Sequence, residues 1–101
     1  MIRHIVLFTF SASAEGKTGA ENARATKEML DALPAKIPQI LRSETHLNAP
    51  DTDKGNADLI LISDFADRDA LNAYIVHPDH RAVGAFMAPR RQSRAAIDVE
   101  L

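Results

Sequence analysis

The chain has 101 residues and a mass of 11.1 kDa, which provides one hydrophobic core and no room for a second. Hydrophobic residues make up 46% of it and charged residues 26%, a globular composition that excludes a disordered chain. The net charge of −2 provides no broad positive field for a phosphate backbone, so we expect no nucleic-acid partner.

The chain contains no cysteine, which excludes a disulfide framework, thiol catalysis and thiolate metal sites, and which suits a reducing compartment. Its longest apolar run, residues 5–8, is far shorter than the roughly 20 residues of a membrane-spanning helix. The first residues also lack the layout of a secretory signal peptide. We therefore expect one cytoplasmic domain over residues 1–101, with no membrane partner.

Hydrophobic periodicity predicts four strands and two helical regions. Apolar residues that alternate with period two indicate strands, and apolar residues on one stripe at a spacing of 3.6 indicate helices. Prolines and polar stretches with glycine mark the ends of these elements. In chain order, these signals predict a strand at 2–10, a loop at 11–19, a helix at 20–33, a strand at 40–47, a surface loop at 48–56, a strand at 59–65, helical segments between 67 and 87, and a strand at 95–101.

The second helical region is predicted to be broken in the middle. Asp67 is a typical helix N-cap. The stripe expected to be buried after it consists of Ala70, Leu71, Tyr74 and Ile75. His77 precedes a proline and is therefore disfavoured in the α conformation, so the first segment should end there. Pro78 can open a second segment, which runs to about Met87.

The order β-α-β-β-α-β predicts an α+β protein of the ferredoxin-like class, in which a four-stranded antiparallel sheet carries both helices on one face. The strands at 2–10 and 59–65 are apolar on both sides, although the helices can cover only one side. About six aliphatic side chains on the other face, at roughly 1.5–3 kcal/mol each, would leave about 10 kcal/mol or more of transfer free energy unrealised. We expect a second copy of the sheet to cover this face, which makes the protein a homodimer.

Two motifs suggest a bound ligand but lack residues that the ligand requires. Residues 16–18, Gly-Lys-Thr, lie between a strand and a helix as in a P-loop, but Ser11 replaces the first glycine and Glu15 would face the phosphates. Residues 51–55 resemble the start of a calcium loop, but Gly55 stands where an EF-hand has a ligand. We interpret the two segments as a flexible connector and a surface turn.

Three arginines follow the second helical region. A carboxylate or a phosphate could be bound by these residues, Arg90, Arg91 and Arg94, acting together. A basic run at such a position is more often a solvated helix end that interacts favourably with the helix dipole. We favour the second interpretation, although the sequence does not settle the role of the cluster.

The most informative side chains are histidines and a tyrosine on elements that should face each other. Those expected to meet between sheet and helices are His4, Val6 and Phe8 from the first strand and Tyr74, His80, Val83 and Met87 from the second helical region. Imidazole accepts and donates protons near neutral pH with little tuning. Imidazoles and a phenol in an apolar cavity suit enolisation, aldol or dehydration chemistry on a carbonyl compound without a cofactor.

The same histidines can instead serve structural roles, and the sequence leaves this open. His77 can cap a helix, while His4 and His80 can satisfy buried backbone carbonyls. His77, Asp79 and His80 could chelate a metal, but a proline lies between the two histidines and no fourth ligand is identifiable, so we expect no metal. His46, at the end of a polar strand, is expected to be exposed.

Three segments of the chain resemble the stress-responsive A/B barrel (Dabb) domain family. Residues 2–8, Ile-Arg-His-Ile-Val-Leu-Phe, resemble its opening strand with a histidine, and residues 33–38 resemble its helix-ending element. Residues 67–71, followed by Tyr74 and by His-Pro-Asp-His at 77–80, resemble its most specific motif. The resemblance covers nearly the whole chain and implies a ferredoxin-like protomer that forms a dimeric α/β barrel.

The resemblance also implies candidate roles for individual residues. The family includes a plant cyclase that closes a linear polyketide by aldol chemistry with a His–Tyr pair, which corresponds by motif to His80 and Tyr74, and with a further pocket residue, which corresponds to His4. Other members are stress-induced proteins with no assigned reaction. Ala23 and Thr26 are small where the cyclase has bulky aromatic residues, so we expect a cavity of different shape and a different substrate.

We therefore hypothesise a homodimer with a small apolar pocket in each protomer. His80 would act as the general base, Tyr74 would orient it or bind a substrate oxygen, and His4 would be a pocket partner, in a cofactor-free lyase, cyclase or isomerase. A non-enzymatic stress-responsive or ligand-binding dimer is the alternative, and a haem- or quinone-handling monooxygenase is a third. The enzyme hypothesis requires that His80 and Tyr74 open into a connected cavity, and that the imidazole nitrogen that reacts is not already bound to a buried backbone carbonyl.

Overall fold

A computed structural model describes all 101 residues, and it shows the ferredoxin-like α+β fold that the sequence predicts. One four-stranded sheet carries three helices, and a small two-stranded hairpin lies beside it. In chain order, the elements are β1 (Ile2–Phe10), β2 (Ser13–Ala14), β3 (Lys17–Thr18), α1 (Gly19–Asp31), a 3-10 turn (Leu33–Ala35), β4 (Arg42–Leu47), β5 (Leu59–Phe65), α2 (Arg68–Val76), α3 (Pro78–Met87) and β6 (Arg91–Glu100).

The sheet has the strand order β4-β5-β1-β6, and every neighbouring pair is antiparallel. Residues that face each other across antiparallel strands share one side of the sheet. Val6 at the centre of β1 lies opposite Leu61 of β5 and Ala96 of β6, on the side that the helices cover. The even-numbered residues of β1 are all buried there, as the alternation in the sequence predicts.

Side-chain caps start the helices. The Thr18 hydroxyl accepts from the Glu21 amide while the Glu21 carboxylate accepts from the Thr18 amide, a capping box that begins α1. Asp67 caps α2 as predicted, and its Oδ1 accepts from the Ala70 amide at 2.8 Å. α1 ends at Asp31 rather than at residue 33, because the 3-10 turn that contains Pro34 follows it.

The predicted loop at 11–19 and the predicted start of the strand at residue 40 need correction. The segment 11–19 contains the hairpin of β2 and β3, whose turn places Glu15 (φ 53°) and Gly16 (φ 75°) in the left-handed region, as a two-residue hairpin loop requires. β4 begins at Arg42 rather than at residue 40, since the chain first completes a turn in which the Ile40 amide binds the Ile37 carbonyl.

The largest correction concerns β6, which begins at Arg91 and not at residue 95. Its first residues are polar and give no apolar alternation, so only the ladder with β1 defines them as a strand. β6 is also an edge strand, and nearly all of its residues are exposed. The helix layer therefore leaves β6 uncovered, and Arg91 and Arg94 belong to the sheet rather than to a solvated helix end.

No helix covers the second side of the sheet. The aliphatic side chains on this outer face are Ile5 and Leu7 of β1, Ile60 and Ile62 of β5, and Ile97 and Val99 of β6. Leu7 is 41% exposed and Ile97 is 59% exposed. The sequence prediction of a sheet with one uncovered apolar face is confirmed.

None of the three helices combines the length and the apolar character needed to cross a bilayer.

Candidate active site

A cavity of about 440 Å³ lies between the helices and the β1–β6 side of the sheet. This volume is within the range of roughly 300–1,000 Å³ that small-molecule sites occupy. The structure brings all seven residues singled out from the sequence together around it, namely His4, Val6, Phe8, Tyr74, His80, Val83 and Met87. Most of the lining is hydrophobic, and the polar side chains are the two histidines, the tyrosine, Arg91 and Arg94.

The break between α2 and α3 positions His80. In a continuous helix the Ile75 carbonyl would accept from the amide of Asp79. Here the Asp79 amide binds the His77 side chain instead, and the Ile75 carbonyl oxygen lies 3.0 Å from Nδ1 of His80. A carbonyl only accepts, so Nδ1 carries the proton and the other ring nitrogen, Nε2, keeps its lone pair. Nε2 makes no hydrogen bond within the chain.

His77 has a structural position at the same break. Its Nδ1 accepts from the Asp79 amide at 3.1 Å and thereby caps α3, while Pro78 occupies the first helical position. This is the capping arrangement that the sequence leaves open for His77. Its imidazole does not line the cavity.

Tyr74 is 1% exposed and packs between Phe65 and His80. The centroids of the Tyr74 and His80 rings are 4.4 Å apart. The Tyr74 hydroxyl makes no hydrogen bond within the chain, and its oxygen is not fully enclosed, so it is accessible from the cavity that the residue lines. Burial raises the pKa of Tyr74 to about 12, so the hydroxyl remains a donor at neutral pH.

His4 is held by an acidic residue that no sequence pattern singles out. The two residues face each other across β1 and β6, and the His4 Nδ1 lies 2.5 Å from the Asp98 carboxylate. His4 therefore satisfies a side chain rather than a buried backbone carbonyl. Its ring centroid lies 6.1 Å from that of Tyr74. The signal for Asp98 is its period-two position on the helix-facing side of β6, which is visible only once the register with β1 is known.

Burial and a nearby arginine favour the neutral form of the His80 imidazole. Desolvation lowers its pKa from the ordinary 6.5, the hydrogen bond to the Ile75 carbonyl opposes this, and the positive charge of Arg94 lowers it further. A neutral imidazole with a free Nε2 can remove a proton from a substrate at pH 7, and an undissociated phenol beside it can donate a hydrogen bond to a developing oxyanion.

Several other predictions can be compared with the structure. Ile75 lines the cavity but is 43% exposed, so its assignment to a buried stripe is wrong. His46 is exposed as expected. No group of three or more histidine, aspartate or glutamate side chains is arranged to hold a metal ion, and the Nδ1 atoms of His77 and His80 are already engaged.

The sequence of residues 2–101 matches the model of the Stress responsive A/B Barrel Domain (Dabb) family. The chain belongs to this family. No curated protein matches it significantly. Membership in the Dabb family confirms the resemblance that the opening strand and the His-Pro-Asp-His segment carry.

Solved structures have the same fold. A dimeric ferredoxin-like protein of unknown function from Bacteroides fragilis is 33% identical, with a TM-score of 0.87 over 99% of this chain and 95% of that chain. A dimeric ferredoxin-like protein of unknown function from Thermobifida fusca is 31% identical, with a TM-score of 0.82 over 99% and 90%. A hydroxynitrile lyase from Passiflora edulis is 11% identical, with a TM-score of 0.79 over 99% and 92%, a similarity of fold alone.

Proposed function

We propose that this Dabb protein is a cofactor-free enzyme that moves a proton on a small carbonyl compound, in a lyase, cyclisation or isomerisation step. The observation that carries the proposal is the geometry of His80. Its Nδ1 is held by the Ile75 carbonyl at 3.0 Å, which leaves Nε2 as an acceptor beside the Tyr74 ring in a cavity of about 440 Å³.

In the proposed step, Nε2 of His80 takes a proton from the carbon next to the substrate carbonyl. The electron pair of that C–H bond forms the enolate, and its negative charge develops on the carbonyl oxygen. The Tyr74 hydroxyl donates a hydrogen bond to this oxygen. In a β,γ-unsaturated substrate the enolate is conjugated with the C=C bond, and the imidazolium returns its proton to the γ-carbon, which isomerises the double bond. In a cyclisation, the enolate carbon attacks a second carbonyl of the substrate, and the imidazolium protonates the oxygen of that carbonyl. In a lyase step, the enolate re-forms the carbonyl and expels a group from the β-carbon, and that group takes the proton from the imidazolium.

Tyr74 fits the role of hydroxyl donor better than that of an orienting residue. The Ile75 carbonyl already orients His80, and the Tyr74 phenol makes no hydrogen bond to the His80 ring. His4, fixed by Asp98, would complete the polar end of the pocket, and Val6, Phe8, Val83 and Met87 would enclose the apolar part of the substrate. A positioned base contributes roughly 10²–10⁴-fold to a rate, which is the size of effect proposed for His80.

A structural neighbour of this chain has a related activity. The Passiflora edulis neighbour is a hydroxynitrile lyase, so the fold supports lyase chemistry in at least one protein. Because one fold can carry many functions, the proposal depends on the side chains of this chain.

The test is a screen of small β-dicarbonyl compounds and methyl ketones, read by NMR for carbon-bound deuterium uptake in D₂O and for new products. The wild-type chain is compared with His80→Gln and, as a matched control, with His46→Gln, which changes an exposed histidine away from the cavity. We expect turnover that His80→Gln reduces by at least 10²-fold and His46→Gln leaves unchanged. Compounds that bind without turning over would support the ligand-binding alternative instead.

We also infer that the active form is a homodimer joined through the outer face of the sheet. The uncovered side chains Leu7 and Ile97 lie in one apolar patch on neighbouring strands. The related proteins from Bacteroides fragilis and Thermobifida fusca are dimeric. Dimerisation through this face would leave the helix-covered side, and with it the cavity, free in each protomer.

A further inference from the structure

Two arginines line the cavity although they are three residues apart on one strand. In a regular strand such residues point to opposite sides of the sheet. The register between β1 and β6 shifts here: Arg94 faces Phe8, Ser93 faces Thr9 and Arg91 faces Phe10, so that Gln92 is an extra residue. This β-bulge turns both guanidinium groups to the side that Phe8 and Phe10 share, which is the side of the helices.

Neither of these arginines has an anionic partner in the chain. No carboxylate lies within salt-bridge distance of Arg91 or Arg94, and neither side chain donates a hydrogen bond to another group. The neighbouring Arg90 differs, because its guanidinium packs 3.9 Å above the Phe86 ring and binds the Phe86 carbonyl. No aspartate or glutamate lines the cavity. The cavity therefore combines an apolar interior with two uncompensated positive charges.

The exposure of Arg91 and Arg94 is that expected of side chains at the entrance of a cavity. Arg94 is exposed and Arg91 is partly buried, both on the edge strand that the helices leave uncovered. Arg94 is also close enough to the reactive end of the cavity for its charge to oppose the rise that burial causes in the pKa of Tyr74 and to add to the lowering of the pKa of His80. An anion held by these arginines would thus be within electrostatic reach of the base.

We propose that Arg91 and Arg94 bind a carboxylate of the substrate, so that the site selects a small carbonyl compound with an apolar body and a carboxylate end. The chemistry of guanidinium favours this group, since its planar fork of N–H donors matches the two oxygens of a carboxylate. That the substrate contains a carbonyl group rests on the proposed function. The preference for a carboxylate concerns binding alone, so it can be measured without turnover.

The test measures binding by calorimetry for a homologous series of methyl ketones that end in a carboxylate, from levulinate upward, each paired with its methyl ester. The ester keeps the ketone and the chain but removes the charge. We expect at least one acid to bind ten-fold or more tightly than its ester, and the ratio to fall to about one in Arg91→Gln/Arg94→Gln. Arg81→Gln, which changes an exposed arginine of α3 outside the cavity, should retain the ratio.

A second measurement covers the case in which the double variant folds poorly. Rising salt concentration should weaken binding of the acid and leave binding of the ester unchanged in the wild-type chain, and the single variant Arg94→Gln should reduce this salt dependence. Equal affinities for every acid and its ester, or an acid preference that survives loss of both arginines, would overturn the inference.

The experiment separates this inference from the proposed function. His80→Gln should lose turnover and keep the acid-to-ester ratio. An acid preference without turnover of any compound would overturn the proposed function alone. Turnover and binding of esters equal to those of the acids would overturn the carboxylate inference alone.

Discussion

The ring centroids of Tyr74 and His80 lie 4.4 Å apart with the ring planes tilted by 52°, although the two residues belong to different helices. The proline break between α2 and α3 brings them together, and burial affects them in opposite directions. It raises the pKa of Tyr74 to about 12 and lowers that of His80, so both side chains are neutral at pH 7. Two groups whose pKa values are moved apart in one cavity are suited to serve as hydrogen-bond donor and proton acceptor.

Tyr74→Phe should separate the role of the hydroxyl from that of the ring. The ring packs against Phe65 and His80 and stays in place, while the hydroxyl makes no hydrogen bond within the chain, so the free energy of unfolding should change by less than about 1 kcal/mol. Loss of the donor to the oxyanion should reduce kcat by about 10²–10³-fold. Steady-state kinetics and urea unfolding measure the two effects. Full activity of the variant would contradict the assigned role.

The pH dependence of the reaction follows from the lowered pKa of His80. The neutral imidazole is the active form, so kcat/KM should be constant at neutral pH and decrease as the pH falls below a midpoint lower than 6.5. Arg94→Gln removes a positive charge that lowers this pKa, so the midpoint should move upward. A pH–rate profile and an NMR titration of the His80 ring measure this midpoint. A midpoint above 6.5 in the wild-type chain would be inconsistent with a desolvated base.

The same pKa shift affects stability. The unfolded chain binds a proton at His80 near pH 6.5, whereas the folded chain binds it only at lower pH. The free energy of unfolding should therefore decrease as the pH falls from about 6.5 through the folded pKa. His80→Gln should remove this part of the pH dependence, and His46→Gln should not. Urea unfolding at a series of pH values makes the comparison.

The sequence predicts the fold and the residues of the cavity because their signals are local. Alternation in residues 2–10 places His4 on the helix-facing side, and Pro78 divides the helical region at the observed point. The same kind of pattern predicts the uncovered apolar face, since residues 59–62 are apolar at successive positions.

The remaining parts of the site depend on contacts between distant residues. Asp98 reaches His4 through the pairing of β1 with β6, and the orientation of Arg91 depends on a bulge in the same pairing. A polar edge strand gives no periodic signal for either. The Ile75 carbonyl contributes through its backbone, so no residue type identifies it. These features follow from register and backbone geometry, which the chain specifies only when it is folded.

Gly84 offers a way to fill the cavity without disturbing the core. It lies inside α3 and lines the cavity, and a Cβ at this position would meet no atom within 4 Å. Gly84→Ala should stabilise the helix by about 0.5–1 kcal/mol and leave room for a ligand. Gly84→Leu should occupy the cavity and weaken binding at least ten-fold, whereas Ala85→Leu, on an exposed part of α3, should not. Calorimetry and thermal unfolding measure these effects, and unchanged binding in Gly84→Leu would place the ligand elsewhere.

A charge on the outer face should separate the proposed dimer. Ile97 of β6 lies opposite Ile5 of β1 and is 59% exposed in the protomer, so a partner sheet would bury it. Ile97→Lys would place an unpaired ammonium in that interface and should weaken dimerisation more than ten-fold, equivalent to about 1.4 kcal/mol. Ala82→Lys, on an exposed part of α3, is the matched control. Analytical ultracentrifugation measures the dissociation constant, and a monomeric wild-type chain at micromolar concentration would contradict the dimer. If Ile97→Lys became monomeric but kept the His80-dependent reaction, each protomer would contain a complete site, as the position of the cavity on the helix side of the sheet predicts.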